Sequence, residues 1–582
     1  MVWAIVSCRR IFFLWHNLPS LVDNHSSFMD PTEQEPGEQG LGEQDLIETH
    51  TRWWPLIAIA IILVLLLSVI WSGDGNNQQK RVMQTGSTLV ISFIFLLLWA
   101  FIFSRFSKKV RWRILFSLIG IFALFGICFR LDQVSGNMVP IFEWRWAKRS
   151  LPEVENDGQP SSPIVTDSNT TELSFPQFLG PTRDCKAPGP KLETDWKTNP
   201  PEKLWRQPIG AAWSGFVVSA HRAITQEQRD ENEVVSCYDL PTGKMLWMHS
   251  NPGHYNTKIA GKGPRATPAI HDGKIYTLGA TGVLNCLELE SGKRVWHRNI
   301  AADAELNTDG EIDQTGATKK RNKAKEWGYS SSPLIVEDIL VVSAGGDNGK
   351  SLLGYDINSG KPAWFGGSSR AGYSSPRLAT LHGQEQILIF NQDGLASHSP
   401  ENGSILWSFT WNPGHPHVSM PVILGKNQIL LSLGYGNGSK LIQVNQEGES
   451  YSASELWQSR FMKAKFTNLI SHKDHIYGLD DGIFACVDQK DGRRKWKDGR
   501  FGHGQILLRG KHILVMAENG EVILLEASPE KQIELSRFAA LDGKTWNPHT
   551  LAGEYLLVRN HREAACYKLP LAETSPDVPG LE

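Results

Sequence analysis

Apolar residues run almost unbroken through three stretches near the N-terminus, residues 53–71, 85–103 and 112–129. Beyond them the pattern changes to short alternations of apolar and polar positions that recur to about residue 570. Each run approaches the length a helix needs to cross about 30 Å of hydrocarbon, and its interior is nearly free of charge. Three such runs in succession bury themselves only in lipid, which predicts three transmembrane helices. The connection between the second and third holds Arg105, Lys108, Lys109, Arg111 and Arg113, whereas that between the first and second holds only Lys80 and Arg81. The cationic connection marks the cytoplasmic side. The expected arrangement is therefore a multi-pass protein of the cytoplasmic (inner) membrane, its N-terminus cytoplasmic and everything after residue 129 exported to the periplasm.

These patterns divide the chain into an acidic, Gly/Gln-rich N-terminal tail (1–52), a three-helix anchor (53–130), a linker (131–173), an all-β region (174–572) and a short C-terminal tail (573–582). Both tails read as disordered, because they carry too little apolar surface to offset the entropy of ordering. In the first 22 residues Arg9 and Arg10 interrupt the apolar positions, and Met29 is an alternative start to Met1.

In the all-β region an eleven-residue unit recurs: CYDLPTGKMLW (Cys237 to Trp247), CLELESGKRVW (Cys286 to Trp296), GYDINSGKPAW (Gly354 to Trp364), SHSPENGSILW (Ser397 to Trp407) and CVDQKDGRRKW (Cys486 to Trp496). Degenerate copies end at Trp457 and Leu535. Each reads as a strand, a tight turn whose Gly takes positive φ, and a second strand carrying the Trp. A pair of strands precedes each unit, often opened by a small or polar residue and Pro, as at Thr267-Pro268 and Ser332-Pro333. Repeats spaced by about 40 to 50 residues and rich in β-formers signify propeller blades. Whole units start near Trp213, Thr267, Ser332, Ser375, Met420, Phe466, Gly504 and His549, which predicts an eight-bladed β-propeller, seven being the alternative. The last unit lacks its Trp, and the orphan strand EKLWRQ (Glu202 to Gln207) carries Trp205, so the N-terminal strand is expected to complete the final blade. Trp205, Trp247, Trp296, Trp364, Trp407, Trp457 and Trp496 are the expected blade-docking residues.

Charge and cysteine usage narrow the chemistry. A net charge of -2 gives no broad basic surface for nucleic acid. Seven scattered cysteines form neither a disulfide framework nor a zinc spacing. Cys237, Cys286 and Cys486 occupy one equivalent strand position and read as small buried residues.

The TGK-x-x-W turn resembles the pyrroloquinoline-quinone (PQQ) type of propeller repeat, shared by quinoprotein alcohol dehydrogenases and by the outer-membrane assembly lipoprotein BamB. FPQFLGPTRD (Phe175 to Asp184) is similar to the W-x-Q-F-R-G-P-x-R-x-G opening of PQQ-like propeller proteins of planctomycete-type bacteria, with Phe for the first Trp and Leu for the Arg. The resemblance implies a fold more than a chemistry. It raises a PQQ- and calcium-dependent dehydrogenase of alcohols or sugars, yet adjacent cysteines and C-x-x-C-H are both absent from the sequence. The leading expectation is a non-catalytic scaffold binding a periplasmic protein, with no cofactor or metal; an extracytoplasmic ligand sensor is a further alternative.

The connections between blades are expected on one face, where NPGHY, NPGHPH, GHG and WNPH gather histidines. Trp213, His254, Arg265, Trp327, Tyr329, Arg370, Tyr373, His415, His417, His503, Trp546 and His549 form the candidate ligand or partner face, an aromatic and cationic funnel suited to an anionic or ring-shaped ligand. Turn chemistry repeated by duplication explains Asn-Pro-Gly-His equally. The longest connection, residues 301–325 with Lys319, Lys320, Arg321, Lys323 and Lys325, is a candidate contact loop or a solvated insertion.

Overall fold

The three apolar runs form helices that are each long and apolar enough to cross a membrane: α1 (Trp54–Ser72), α2 (Gln78–Leu98, continued by a π turn over Trp99–Phe103) and α3 (Lys108–Cys128). The computed structural model describes residues 52–72, 78–147, 151, 173–257, 259–306 and 326–572. Both tails, most of the Pro/Ser-rich linker and most of the basic 301–325 connection lie outside the described residues. α2 begins seven residues before the apolar run, because good helix formers such as Gln79, Lys80 and Arg81 extend the hydrogen-bond ladder past the hydrocarbon. α3 starts at Ser107, whose hydroxyl caps the Val110 amide.

One expectation is corrected directly after α3. Residues 131–147, read as the start of a linker, are ordered: Phe129–Val134 (β1) and Pro140–Trp144 (β2) form an antiparallel hairpin. A linker reading weighs the short, polar sequence alone, whereas this hairpin is held by the propeller it rests on.

Apart from a two-stranded ribbon that pairs Asn256–Thr257 with Gly261–Lys262, the remaining described strands form eight antiparallel sheets around one axis, so the chain carries an eight-bladed propeller. Blade 1 holds β3 (Ser174–Phe175), β5 (Val217–Ser219), β6 (Arg222–Arg229), β7 (Asn232–Asp239) and β8 (Met245–Pro252). Blades 2 to 7 cover residues 269–299, 334–366, 377–410, 422–459, 470–500 and 505–539, each with four strands in chain order. Blade 8 takes three strands from residues 550–568 and its outermost from β4 (Glu202–Pro208), with Trp205 opposite Cys566. The ring is thereby closed by its own first strand, which removes an exposed edge.

The repeated Trp and Gly have one geometric explanation. In five of the blades the indole lies on the turn glycine of the next blade, Trp205, Trp247, Trp296, Trp364 and Trp457 on Gly243, Gly292, Gly360, Gly403 and Gly492: a Cβ on Gly292 would sit 2.3 Å from Trp247, one on Gly360 2.5 Å from Trp296, and one on Gly403 2.3 Å from Trp364. Most indoles also donate into that turn, Trp205 to the Leu240 carbonyl (2.8 Å) and Trp296 to that of Ile357 (3.0 Å). Trp407 departs, donating to Gln386 within its own blade.

Candidate functional site

Innermost strands begin at one end of the axis, and their first residues tie blade to blade. The Gly215 amide donates to Thr267, the Thr267 amide to Ser332, and the Ser332 amide to Ser375, at 2.9 to 3.0 Å. Met420 continues the belt by donating to the Asn468 side chain (2.8 Å). Above this polar belt the connections supply aromatic walls. Trp213 lies 5.2 Å from Trp546, Trp546 lies 4.6 Å from Phe466, and Trp327 stacks on Tyr373 at 4.9 Å. Together they line a chamber of about 170 Å³. Arg265 also lines it, donating to the carbonyls of Trp327, Ala260 and Gly261 and lying 4.3 Å over the Tyr255 ring. Burial pulls its guanidinium down to about 10.

Both ends of the axis are covered by the chain itself. At the foot, the FPQFLGPTRD segment crosses the channel: the Ile270 amide donates to Pro176, Phe178 lines the chamber, and buried Arg183 donates to the carbonyls of Pro333 (2.8 Å) and Ser332 (3.0 Å). At the mouth sits the β1–β2 hairpin. The Gly136 amide donates to Glu518 (2.8 Å), Lys465 donates to the Gly136 carbonyl (2.5 Å), and Lys544 to that of Val134 (2.8 Å). The start of α2 joins it, Gln79 accepting from Lys465 (2.6 Å). The start of α2 and the end of α3 therefore both meet the propeller, which puts the basic connection between these helices at their far ends.

The mouth holds a dense electrostatic cluster. The Lys544 ammonium lies 3.5 Å from the Trp546 ring centroid and 4.7 Å from that of Trp213. Glu518 also accepts from the Trp546 indole and the His503 amide. Burial alone would raise its carboxyl, yet His503 and these donors hold it below the ordinary range. Asp132 of the hairpin pairs with Arg562 (3.0 Å) and His561 (3.3 Å). Burial opposes its ionisation, but His561 and Arg562 outweigh it and hold the carboxyl well below its usual value.

Of the candidate face, Trp213, Arg265, Trp327, Tyr373 and Trp546 meet at the chamber. His503 lies under the hairpin, where a Cβ on Gly136 would come within 2.0 Å of its ring. His415 stacks on Tyr435 beside α2 (5.3 Å). The others stand apart. His417 donates its Nε2 proton to the Trp411 carbonyl in the interior, Tyr329 and His549 are buried, His254 leans on the Asp230 carbonyl near the rim, and the Arg370 side chain is exposed. Burial pushes His549 down to about 3, so it is a neutral packing residue. Sequence reading missed Lys465, Glu518, Lys544 and Arg562. One signal was available: Lys465 precedes Thr467 by two residues, the offset at which Arg265 precedes Thr267.

The chamber's donors are hydroxyls, amides and one guanidinium, with no carboxylate among its lining residues. Among the described residues no group of three or more His, Cys, Asp or Glu is placed to hold a metal ion. Calcium takes about six to eight oxygens, carboxylates foremost, whereas the chamber's lining offers hydroxyl and amide oxygens.

Burial lowers Lys544 to about 7 and Lys465 to about 8 from an ordinary 10.5. Between those values and 10.5 the unfolded chain binds more protons than the folded one, so stability rises with pH across that window. The thermal midpoint of the full chain in micelles should therefore increase from about pH 7 to about pH 10. Lys465→Met/Lys544→Met should flatten the rise; an unchanged slope in that variant would show that the lysines do not cause it.

Fold and repeats define the class, an eight-bladed repeat propeller joined to three apolar helices. Residues 230–498 match the family described as outer membrane protein assembly factor BamB. Two curated proteins of that name are similar to the chain. The one from Moranella endobia is 27% identical over 147 residues, 22% of this chain and 37% of the relative. The one from Shewanella oneidensis is 21% identical over 327 residues, 51% of this chain and 71% of the relative. The chain thus spans little more than a third of the first relative. Among solved structures, BamB from Moraxella catarrhalis superposes with TM-score 0.44 at 14% identity, covering 64% of this chain and 99% of that one. A europium-containing methanol dehydrogenase gives 0.41 at 10%, covering 69% and 100%.

Proposed function

We propose that the chain is a membrane-anchored interaction module: three spans hold the propeller on the periplasmic side of the inner membrane, where it binds a protein without catalysis of its own. The observation that supports this most is the seated hairpin. The hairpin's Val134 and Gly136 carbonyls are held by Lys544 and Lys465 at one end of the axis, while Phe178 lines the chamber and Arg183 binds strand carbonyls at the other, so the propeller already holds a polypeptide turn on this face. The binding role named for the BamB relatives, assembly of outer membrane proteins, is compatible with such a platform. Apolar side chains on outer strands, Met248, Val295, Ile405 and Leu456, are 41 to 51% exposed and offer contact points around the rim.

A second reading, a quinoprotein dehydrogenase, draws on the aromatic walls of the chamber. One experiment separates them: the purified full chain is titrated with PQQ and calcium while absorbance and dye-linked alcohol oxidation are recorded, and photo-crosslinkers at Val295 and Ile405 are activated in cells. The expected result is no saturable absorbance change and a discrete crosslinked protein. Saturable binding with substrate-dependent dye reduction would replace the module by an enzyme.

A further inference from the structure

Lys465 and Lys544 are 2% and 6% exposed, and among the described residues the oxygens that accept their protons are neutral: the Gly136 and Val134 carbonyls and the Gln79 amide. Two carboxylates stand nearby without accepting from either lysine: Glu518 spends its oxygens on the amides of Gly136 and His503 and the Trp546 indole, and Asp481, whose charge acts on Lys465, accepts from the Gln78 amide. Burying an ammonium group is costly, and a carbonyl dipole offsets that cost less well than the full opposite charge of a carboxylate. Where the hairpin does bring a carboxylate, Asp132, the rim receives it with Arg562 and His561. The occupant of the mouth is thus a tight turn of polypeptide with its Asp132 charge on the rim and only backbone carbonyls, beside the Gln79 amide of α2, turned to the two buried lysines.

We infer that the hairpin tip is an intramolecular stand-in for an acidic turn of a protein partner, which displaces it by giving Lys465 and Lys544 carboxylates in place of carbonyls. The inference rests on the interaction-module reading and names the chemistry of the partner. The competitor must overcome the hairpin's tethering, which acts as an effective concentration in the millimolar range. Its gain lies in compensating two buried charges. Gly136 limits the turn's shape, since a Cβ there would meet the His503 ring at 2.0 Å, so an acidic partner carries its carboxylates on the flanking positions.

The test uses the full chain in lipid nanodiscs with a protease site inserted after Pro160. Once the chain is cut, only the docked hairpin and α2 hold the propeller to the disc. Two synthetic peptides compete: the sequence of residues 129–144, and the same sequence with Ser135→Asp and Asn137→Asp. The cut propeller is expected to stay on the disc. The acidic peptide should release it at a concentration at least about tenfold below that of the parent peptide, as about 1.4 kcal/mol of added compensation requires. Lys465→Met/Lys544→Met should erase that difference without lowering the thermal midpoint, which reports that the ring is folded. Equal potency of the two peptides, or departure of the propeller on cutting alone, overturns the inference. Neither result bears on the interaction-module reading, which the quinone titration and the rim crosslinks test separately.

Discussion

Gly292→Val is expected to destabilise the propeller by roughly 3–5 kcal/mol, combining overpacking against a ring with a β-branched residue at positive φ. Gly292 has φ +66°, and its absent side chain leaves room for Trp247 of the preceding blade, 2.3 Å from where a Cβ would stand. A control in the same blade separates the two causes. Gly273 has φ +69° but nothing within 4 Å of its Cβ position, so Gly273→Val bears the backbone strain alone, about 1–3 kcal/mol. Thermal or denaturant unfolding of both variants measures the difference. Equal losses would mean that the indole does not press on the turn and that the repeat's Gly serves the backbone only.

The closure strand should matter still more. Replacing residues 202–208 by a Ser/Gly stretch of equal length removes the outermost strand of blade 8 and the Trp205 indole that donates to the Leu240 carbonyl of blade 1 (2.8 Å). An open ring exposes the edge of residues 563–568 and leaves the Gly243 turn uncovered, so the expected result is loss of a single cooperative transition and rapid proteolysis within residues 550–568. Trp205→Ala alone, at a buried aromatic, should cost about 3–5 kcal/mol and leave the transition cooperative. If the seven-residue replacement unfolds as one transition at an unchanged midpoint, the ring is not held shut by this strand.

Blade number, the closing strand and the three helices were legible because each rests on a local pattern. A helix that crosses lipid must be apolar along its whole length, and a blade repeats its turn because neighbouring blades present the same surface to one another. The Trp–Gly spacing even encodes contacts between blades, since Trp247 and Gly292 are fixed by the same repeat that places each of them in its own sheet.

The site was legible only in part. Trp213, Arg265, Tyr373 and Trp546 each stand four residues before an innermost strand, so the symmetry of the ring carries them to the chamber; Trp327, seven residues before its strand, reaches it by stacking on Tyr373. His254 and Arg370 lie on connections too, but their side chains turn to the rim, and no sequence signal distinguishes the two directions. The hairpin is the clearest case of what only the tertiary structure decided. Residues 129–144 have no pattern that demands a hairpin, and Gly136 becomes indispensable only because His503, 367 positions later, occupies the space beside it. Lys465 and Lys544 look like ordinary solvated lysines in sequence; burial among Tyr435, Phe466, Trp213 and Trp546 under the chain's own hairpin makes them the charged centre of the mouth. Periodicity thus determined the elements and their order, while the desolvation and charge that define the site arose only when segments hundreds of residues apart were packed together.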